Sequence, residues 1–330
     1  MANHQFTIAE RTELLEERQE ILDSIRLMLG GNTYTKLEYA ESLGEDVTLL
    51  KLSDNNNNHV DLLLQAADSS EPCIVYQQPA TVNAFSCGQA QRSISNDATL
   101  ISSTALPKNL SVQLEYYSEA EEHFGSIGST ILTPSQTANQ VNITTSFAFD
   151  DFFNQVLGMN RSDERINSTL GVTTYTQLNQ IVQGYSGTEM TVKFNNHIGG
   201  SADDDINMYT GLLINSEAMT TIVTPTGSVF SGGTDLFAAG KSRILQRSAN
   251  QPIEQNKQIG VHSWGQGDKT AKDFPYTDES HRKQATYFNK VMGDKGIDFY
   301  LFTLDSAPAD GEHWVTKTES DQYGFITQMD

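Results

Sequence analysis

The chain has 330 residues, 37% of them hydrophobic and 9% aromatic, the composition of a folded protein long enough for two domains that each bury a core. Its 42 acidic residues against 21 basic ones leave a net charge of −21, which argues against binding to nucleic acid or to an anionic membrane, since both need a basic face. Cys73 and Cys87, the two cysteines, are too few for a disulfide framework and enough for one bridge.

No apolar run approaches the ~18 residues of a transmembrane helix. With no basic-then-apolar leader at the N-terminus, the expected location is the cytoplasm unless the chain is already processed. The Asn-x-Ser/Thr triplets at Asn109, Asn142, Asn160 and Asn167 are accordingly read as chance.

Thr7 and Glu10 have capping-box spacing, and Leu14, Ile21, Leu22, Ile25, Met28 and Leu29 then recur with helical period up to Gly30-Gly31. This predicts an amphipathic helix of about five turns, a packing element without chemistry. Val47–Leu52, Cys73–Tyr76 and Ser111–Tyr117 read as strands, separated by loop clusters such as Asn55–Asn58. Thr133–Gln140 reads as a polar connector and Phe147–Leu157 as an aromatic-rich helical segment. The expected division is a helix and small β-rich domain of unassigned function over 1–150, and a second domain over 151–330.

From Arg165 onward strands and helices alternate: a strand at 166–171, a helix at Tyr175–Gln183, a strand at Met190–Phe194, a helix at Asp203–Asn215 and a strand at Thr220–Val223. Such alternation predicts an α/β domain with mainly parallel strands. Three stretches within it carry chemistry. Thr224–Gly240 places the Gly-flanked Ser231 at the start of an apolar helix, and Ile259–Trp264 puts His262 at the end of a short apolar strand. A neutral imidazole can take the hydroxyl proton as the serine oxygen attacks a carbonyl. Upstream, Val192–Ser201 breaks into a Gly-Gly turn whose bare backbone N–H groups suit an oxyanion.

This order of elements resembles the Clp-type serine peptidases of the ClpP/crotonase superfamily over about residues 165–330. The family's Asn-x-Pro-Gly-Gly-Ser turn is similar to Asn196–Ser201, its Gly-x-x-x-Ser turn to Gly227–Ser231, and its Leu-x-x-Ala-Gly helix to Leu236–Gly240. The catalytic His falls on His262, and the closing segment resembles Val315–Ile326. Ile198 stands in place of the turn proline, Gly232-Gly233 in place of Met-Gly, and the interval from nucleophile to His is longer.

The resemblance implies a spiral of ββα units and a Ser231–His262 pair completed by Asp310 or Glu312, with Asp310 preferred. It places the oxyanion hole on the N–H groups of Gly200 and Gly232. It also implies a peptide or unfolded-protein substrate, a homo-oligomer, and a separate unfoldase for processive degradation, because the chain has no ATPase motif. No cofactor or metal is expected.

Asp235–Ser242 ends in Gly-Lys-Ser like a phosphate-binding loop, yet Asp235 stands where the first glycine belongs and would repel a phosphate. His281, in the charged segment from Phe274 to Asp294, reads as a surface residue. His197, His262 and His313 fall near the proposed cleft without metal-ligand spacing. Three other readings stay open: a crotonase-like acyl-thioester enzyme using a carboxylate as acid/base, a non-catalytic assembly or scaffold protein, and a Ser–Lys dyad on Lys241 or Lys272.

Overall fold

The computed structural model describes residues 1–44, 46–65, 73–77, 83–86, 91–103, 111–159 and 167–330. Helix α1 (Ile8–Leu22) starts at the expected cap, where the Thr7 hydroxyl accepts from Glu10 N at 3.1 Å. It is shorter than its apolar pattern suggested. Ile25, Leu27 and Leu29 are buried while Arg26 and Met28 turn outward, so this run has a period of two and forms strand β1 (Ile25–Leu29). Gly30 and Gly31, with φ of 55° and 89°, supply the tight turn that follows.

The chain continues through β2 (Asn32–Tyr34), β3 (Lys36–Gly44), β4 (Val47–Ser53), β5 (His59–Leu64), β6 (Cys73–Gln77), β7 (Asn83–Ser86), β8 (Gln91–Ser95), β9 (Ala98–Ser103) and β10 (Val112–Tyr117). These form two five-stranded antiparallel sheets, ordered β2-β1-β10-β9-β8 and β3-β4-β5-β6-β7. Leu27, Leu29, Leu114, Leu50, Leu62 and Val75 fill the space between them. Cys73 is disulfide-bonded; Cys87 lies outside the described residues.

The predicted connector is a β-hairpin. Strands β11 (Thr130–Thr137) and β12 (Gln140–Phe147) pair antiparallel, and Ala138 turns the chain at φ 53°. The outer strand β11 is exposed over most of its length, so its polar residues gave no alternation to read. Strand β12 pairs in parallel with β14 (Glu189–Phe194), which places residues 130–147 in the sheet of the second half. Helix α2 (Asp150–Gln155) buries Phe152 and Phe153 beside that hairpin.

The second half runs β13 (Ser168–Leu170), α3 (Val172–Gly184), β14, β15 (His197–Ser201), α4 (Asp204–Ser216), β16 (Thr220–Val223), β17 (Ser228–Phe230), α5 (Gly232–Ala238), β18 (Ser242–Leu245), α6 (Ile253–Asn256) and β19 (Ile259–Val261). A small hairpin of β20 (Gly265–Gln266) and β21 (Lys269–Thr270) precedes α7 (Glu279–Met292), α8 (Gly296–Ser306), β22 (His313–Trp314), α9 (Lys317–Tyr323) and β23 (Gln328–Met329).

One sheet is ordered β11-β12-β14-β16-β18-β23 and the other β13-β15-β17-β19-β22. Consecutive strands β14 and β15, then β16 and β17, then β18 and β19, each give one strand to each sheet and pair in parallel with the corresponding strand of the next unit. The result is a spiral of ββα units. Val192, Phe194, Val223, Ile198, Val229 and Ile259 form the core between the two sheets. The ends of β15, β17 and β19 thereby lie side by side, and the three stretches that carry chemistry meet there. Among the described residues no helix is long and apolar enough to cross a membrane.

Candidate active site

Ser231 occupies the junction of β17 and α5 with φ 51° and ψ −121°, a conformation that L-residues rarely adopt and that holds about 1–3 kcal/mol of strain. The surroundings enforce it. Ser231 N donates to Gly260 O at 3.3 Å, Thr234 N donates to Ser231 O at 2.8 Å, and the Thr234 hydroxyl donates to Gly260 O at 2.6 Å. Only glycine fits next: a Cβ on Gly232 would lie 2.5 Å from Ser201 Cβ and 2.7 Å from Ser201 N. Asn207 Nδ2 donates to Gly232 O at 3.0 Å and fixes that peptide plane.

The Gly-Gly turn abuts the serine directly. A Cβ on Gly200, whose φ is 137°, would lie 3.2 Å from Ser231 Cβ and 3.6 Å from its Oγ. The backbones of Gly200 and Gly232 therefore flank the hydroxyl. The first N–H groups of a helix have no partner within it, which leaves that of Gly232 suited to donate to an incoming oxygen.

His262 follows β19, and its ring stacks on Phe230 with centroids 4.8 Å apart and an interplanar angle of 18°. Burial lowers its pKa, only partly offset by the bond from its ring to Ala309 O, so the neutral imidazole dominates at neutral pH. The His262 Nδ1–Ala309 O distance is 2.7 Å. Because a carbonyl only accepts, Nδ1 carries the proton and Nε2 carries the lone pair, the tautomer a general base needs.

Neither expected carboxylate orients His262. Asp310 and Glu312 are exposed, and Glu312 pairs with Lys257 at 3.3 Å. The reason is the turn at Pro308–Gly311, closed by Gly311 N donating to Pro308 O at 3.0 Å, which presents the Ala309 carbonyl to the ring while the Asp310 side chain faces solvent.

Ser231 and His262 line one cavity of about 40 Å³, and no hydrogen bond among the described residues joins their side chains. That volume is on the scale of a single water or one oxygen of a substrate. The neighbouring groove of about 390 Å³, lined by Ile198, Gly199, Phe230 and Trp314, has room for a side chain or acyl group. Two other cavities, of about 510 and 590 Å³, lie at the junction with the first half and contain neither residue.

The small cavity also holds two carboxyls that the sequence reading did not assign to the site, Asp204 and Asp235. Asp235 is withdrawn from water, which raises its pKa well above the ordinary value, and the nearby Asp204 adds to the shift. Asp204 touches solvent but is crowded by protein; that partial withdrawal and the charge of Asp203 push it up to about 6. Position was the available signal: Asp235 is four residues, one helical turn, beyond Ser231, and Asp204 is three residues beyond the Gly-Gly-Ser turn.

The remaining candidates lie elsewhere. Lys241 is exposed, and Lys272 pairs with Asp305 at 2.6 Å; neither lines the cavity of Ser231. His281 is fully buried, not on the surface, with Nδ1 2.7 Å from Tyr300 Oη and Nε2 2.8 Å from Ala271 O. His197 Nδ1 lies 2.6 Å from Ser228 Oγ, and His313 pairs with Glu319 at 2.9 Å. Among the described residues no three His, Cys, Asp or Glu side chains converge as a metal set.

No family model and no curated protein matches the chain. Solved structures that resemble it include an enoyl-CoA hydratase from Bacillus anthracis, 13% identical over 60% of this chain and 69% of that one with a TM-score of 0.36. An enoyl-CoA hydratase from Bacillus halodurans is 11% identical over 60% of this chain and 72% of its own, TM-score 0.36. Another from Geobacillus kaustophilus is 10% identical over 73% and 70%, TM-score 0.33. All three are named as enoyl-CoA hydratases and none as a serine peptidase. At such distance they carry no residue role and no activity to this chain, whose architecture rests on its own strand pairings.

Proposed function

We propose that the chain is a serine hydrolase acting on a peptide or ester carbonyl. The observation that carries this reading is the strained backbone of Ser231 at a strand–helix junction, in one cavity with a neutral His262 whose Nε2 is the free base. Ser231 Oγ attacks the carbonyl carbon as its proton passes to Nε2, and the carbonyl oxygen becomes an oxyanion held by the N–H groups of Gly200 and Gly232. Collapse breaks the bond to the leaving group, which takes the proton from His262 and leaves an acyl-serine. Water, deprotonated by Nε2, then releases the acid and regenerates Ser231. An oxyanion donor of this kind contributes about 3 kcal/mol to transition-state stabilisation.

The test is labelling with a fluorophosphonate. Ser231 should be modified, and both Ser231→Ala and His262→Ala should abolish modification in folded protein. Intact protein that neither labels nor cleaves a broad peptide and ester library would leave the scaffold reading. The peptide substrate, homo-oligomer and separate unfoldase implied by the resemblance belong to this proposal; light scattering would report the assembly.

Asp204 and Asp235 favour a second reading. Two carboxyls with raised pKa beside the same oxyanion turn suit proton transfer to and from an acyl thioester, without a covalent serine. Under that reading Asp204→Asn and Asp235→Asn abolish turnover of acyl-thioester substrates whereas Ser231→Ala spares it.

A further inference from the structure

We propose that Arg18, on the N-terminal helix, is a positioning residue for the oxyanion turn. Its guanidinium grips Asp203 with both arms: Nε donates to Oδ2 at 2.7 Å and a terminal nitrogen donates to Oδ1 at 3.3 Å. Both partners are withdrawn from solvent, with side-chain exposures of 19% and 6%. A forked contact of this kind fixes orientation as well as distance.

Asp203 is tied into the turn at three further points. Its Oδ1 accepts from Ile206 N at 3.3 Å and caps α4, its backbone N–H donates to Ser201 Oγ at 3.0 Å, and Asp204 follows it into the active-site cavity. Ser201 is the residue against which Gly232 is pressed. A continuous chain of contacts thus runs from Arg18 through Asp203 and Ser201 to the backbone beside Ser231. Without Arg18, a buried carboxylate at the base of this chain loses its charged partner and must move toward water, carrying the turn with it.

Helix α1 is held against α4 at its other end too. The Tyr209 hydroxyl donates to Glu10, and Thr7 N donates to Tyr209 Oη at 3.2 Å. Residues 10 and 18 of α1 thus meet Tyr209 of α4 and its cap Asp203, so the helices run antiparallel and α1 lies along α4 as a strap. The Arg18 end bonds Asp203 and through it Ser201 of the oxyanion turn, whereas the Glu10 end meets α4 at Tyr209 and, by way of Lys283, at Asp205, which lies outside the turn; this separates positioning from general support. The functional part of this inference rests on the oxyanion role proposed above for Gly200 and Gly232.

Two measurements on the full chain test it. Asp203→Asn keeps the α4 cap while removing the charge pair, and Glu10→Gln loosens the far end of the strap together with the pairs of Glu10 with His4 and Lys283, leaving Arg18–Asp203 in place. The fluorophosphonate labelling rate of Ser231 should fall between about 10- and 100-fold in Arg18→Ala and Asp203→Asn, recover in part in Arg18→Lys, and stay within about twofold of wild type in Glu10→Gln. Amide exchange should rise at residues 201–206 and 232–235 in the first two variants and not in Glu10→Gln. Equal losses from both ends of the strap, or unchanged labelling and exchange in folded Arg18→Ala, would overturn the proposal. Wild-type protein that fails to label would refute the hydrolase reading instead, and the exchange pattern would still decide the role of Arg18.

Discussion

His262 Nδ1 lies 2.7 Å from the carbonyl oxygen of Ala309, one residue before the aspartate expected to hold it. A carbonyl fixes the tautomer as a carboxylate does, yet it carries no full charge to stabilise the imidazolium that forms during attack. The histidine is therefore oriented by backbone. Asp310→Asn and Glu312→Gln should each leave labelling of Ser231 within about twofold of wild type, whereas Pro308→Gly, which loosens the turn presenting the carbonyl, should slow it about tenfold. Kinetics of fluorophosphonate inactivation would check the ranking, and a large loss in Asp310→Asn would restore the carboxylate to the triad.

The pH dependence follows from burial. The base works when neutral, and burial lowers the His262 pKa, so the acid limb of the Ser231 labelling rate should have its midpoint below 6.5 and the rate should level off above that limb toward pH 8. Asp204, titrating near 6, would add a second step. Its origin is tested by Asp204→Asn, which should remove that step and leave the limb due to His262.

Gly232→Ala should be far more harmful than its size suggests. The added methyl meets Ser201 backbone and Cβ at 2.7 and 2.5 Å, so either the oxyanion turn or α5 must shift. Labelling should drop about 100-fold, the order produced by a misplacement near 1 Å, and thermal unfolding should report a loss of about 1–3 kcal/mol. Activity equal to wild type would mean that the donors lie elsewhere.

Glu41 gives a stability test away from the site. It is buried where β3 meets the second half, accepts from the hydroxyls of Ser129 and Thr169, and is pushed up to about 6 by burial. An acid whose folded pKa is raised favours the fold when protonated, so its contribution is full below about 4.5 and is lost as pH rises to about 6. The shift corresponds to about 2 kcal/mol. Glu41→Gln should therefore be more stable than wild type at pH 7 by up to that amount and nearly equal at pH 4, as read by urea denaturation at the two pH values.

The parts of the site with side-chain signatures were legible. Ser231 ahead of Gly232-Gly233, the Gly199-Gly200 turn and the apolar run before His262 each declared a local geometry, and parallel pairing of β15, β17 and β19 brings those geometries together. The Ala309 carbonyl was not legible, because a backbone acceptor leaves no trace in residue type. Asp235 was noticed only as a charge unfit for a phosphate loop; its place one turn beyond Ser231 acquires meaning once the helix is seen to start at Gly232. In the first half, the strands from Ile25 to Leu29 and from Thr130 to Thr137 were hidden for opposite reasons. The former has apolar residues at both helical and alternating spacing, and the latter is an outer strand with little to bury.

The strap of α1 along α4 also constrains how the chain comes off the ribosome. Thr7, Glu10 and Arg18 are made about 200 residues before their partners Tyr209 and Asp203. His4 N likewise awaits Thr286. At about 5–20 residues per second, the N-terminal helix must wait roughly 10 s or more for the surface it docks on, while the two antiparallel sheets between can already close. Such separation makes this contact among the slowest to form by loop closure. The contact of Arg18 with Asp203 thus cannot form until the chain has been made through α4, and the nucleophile at Ser231 follows only after that.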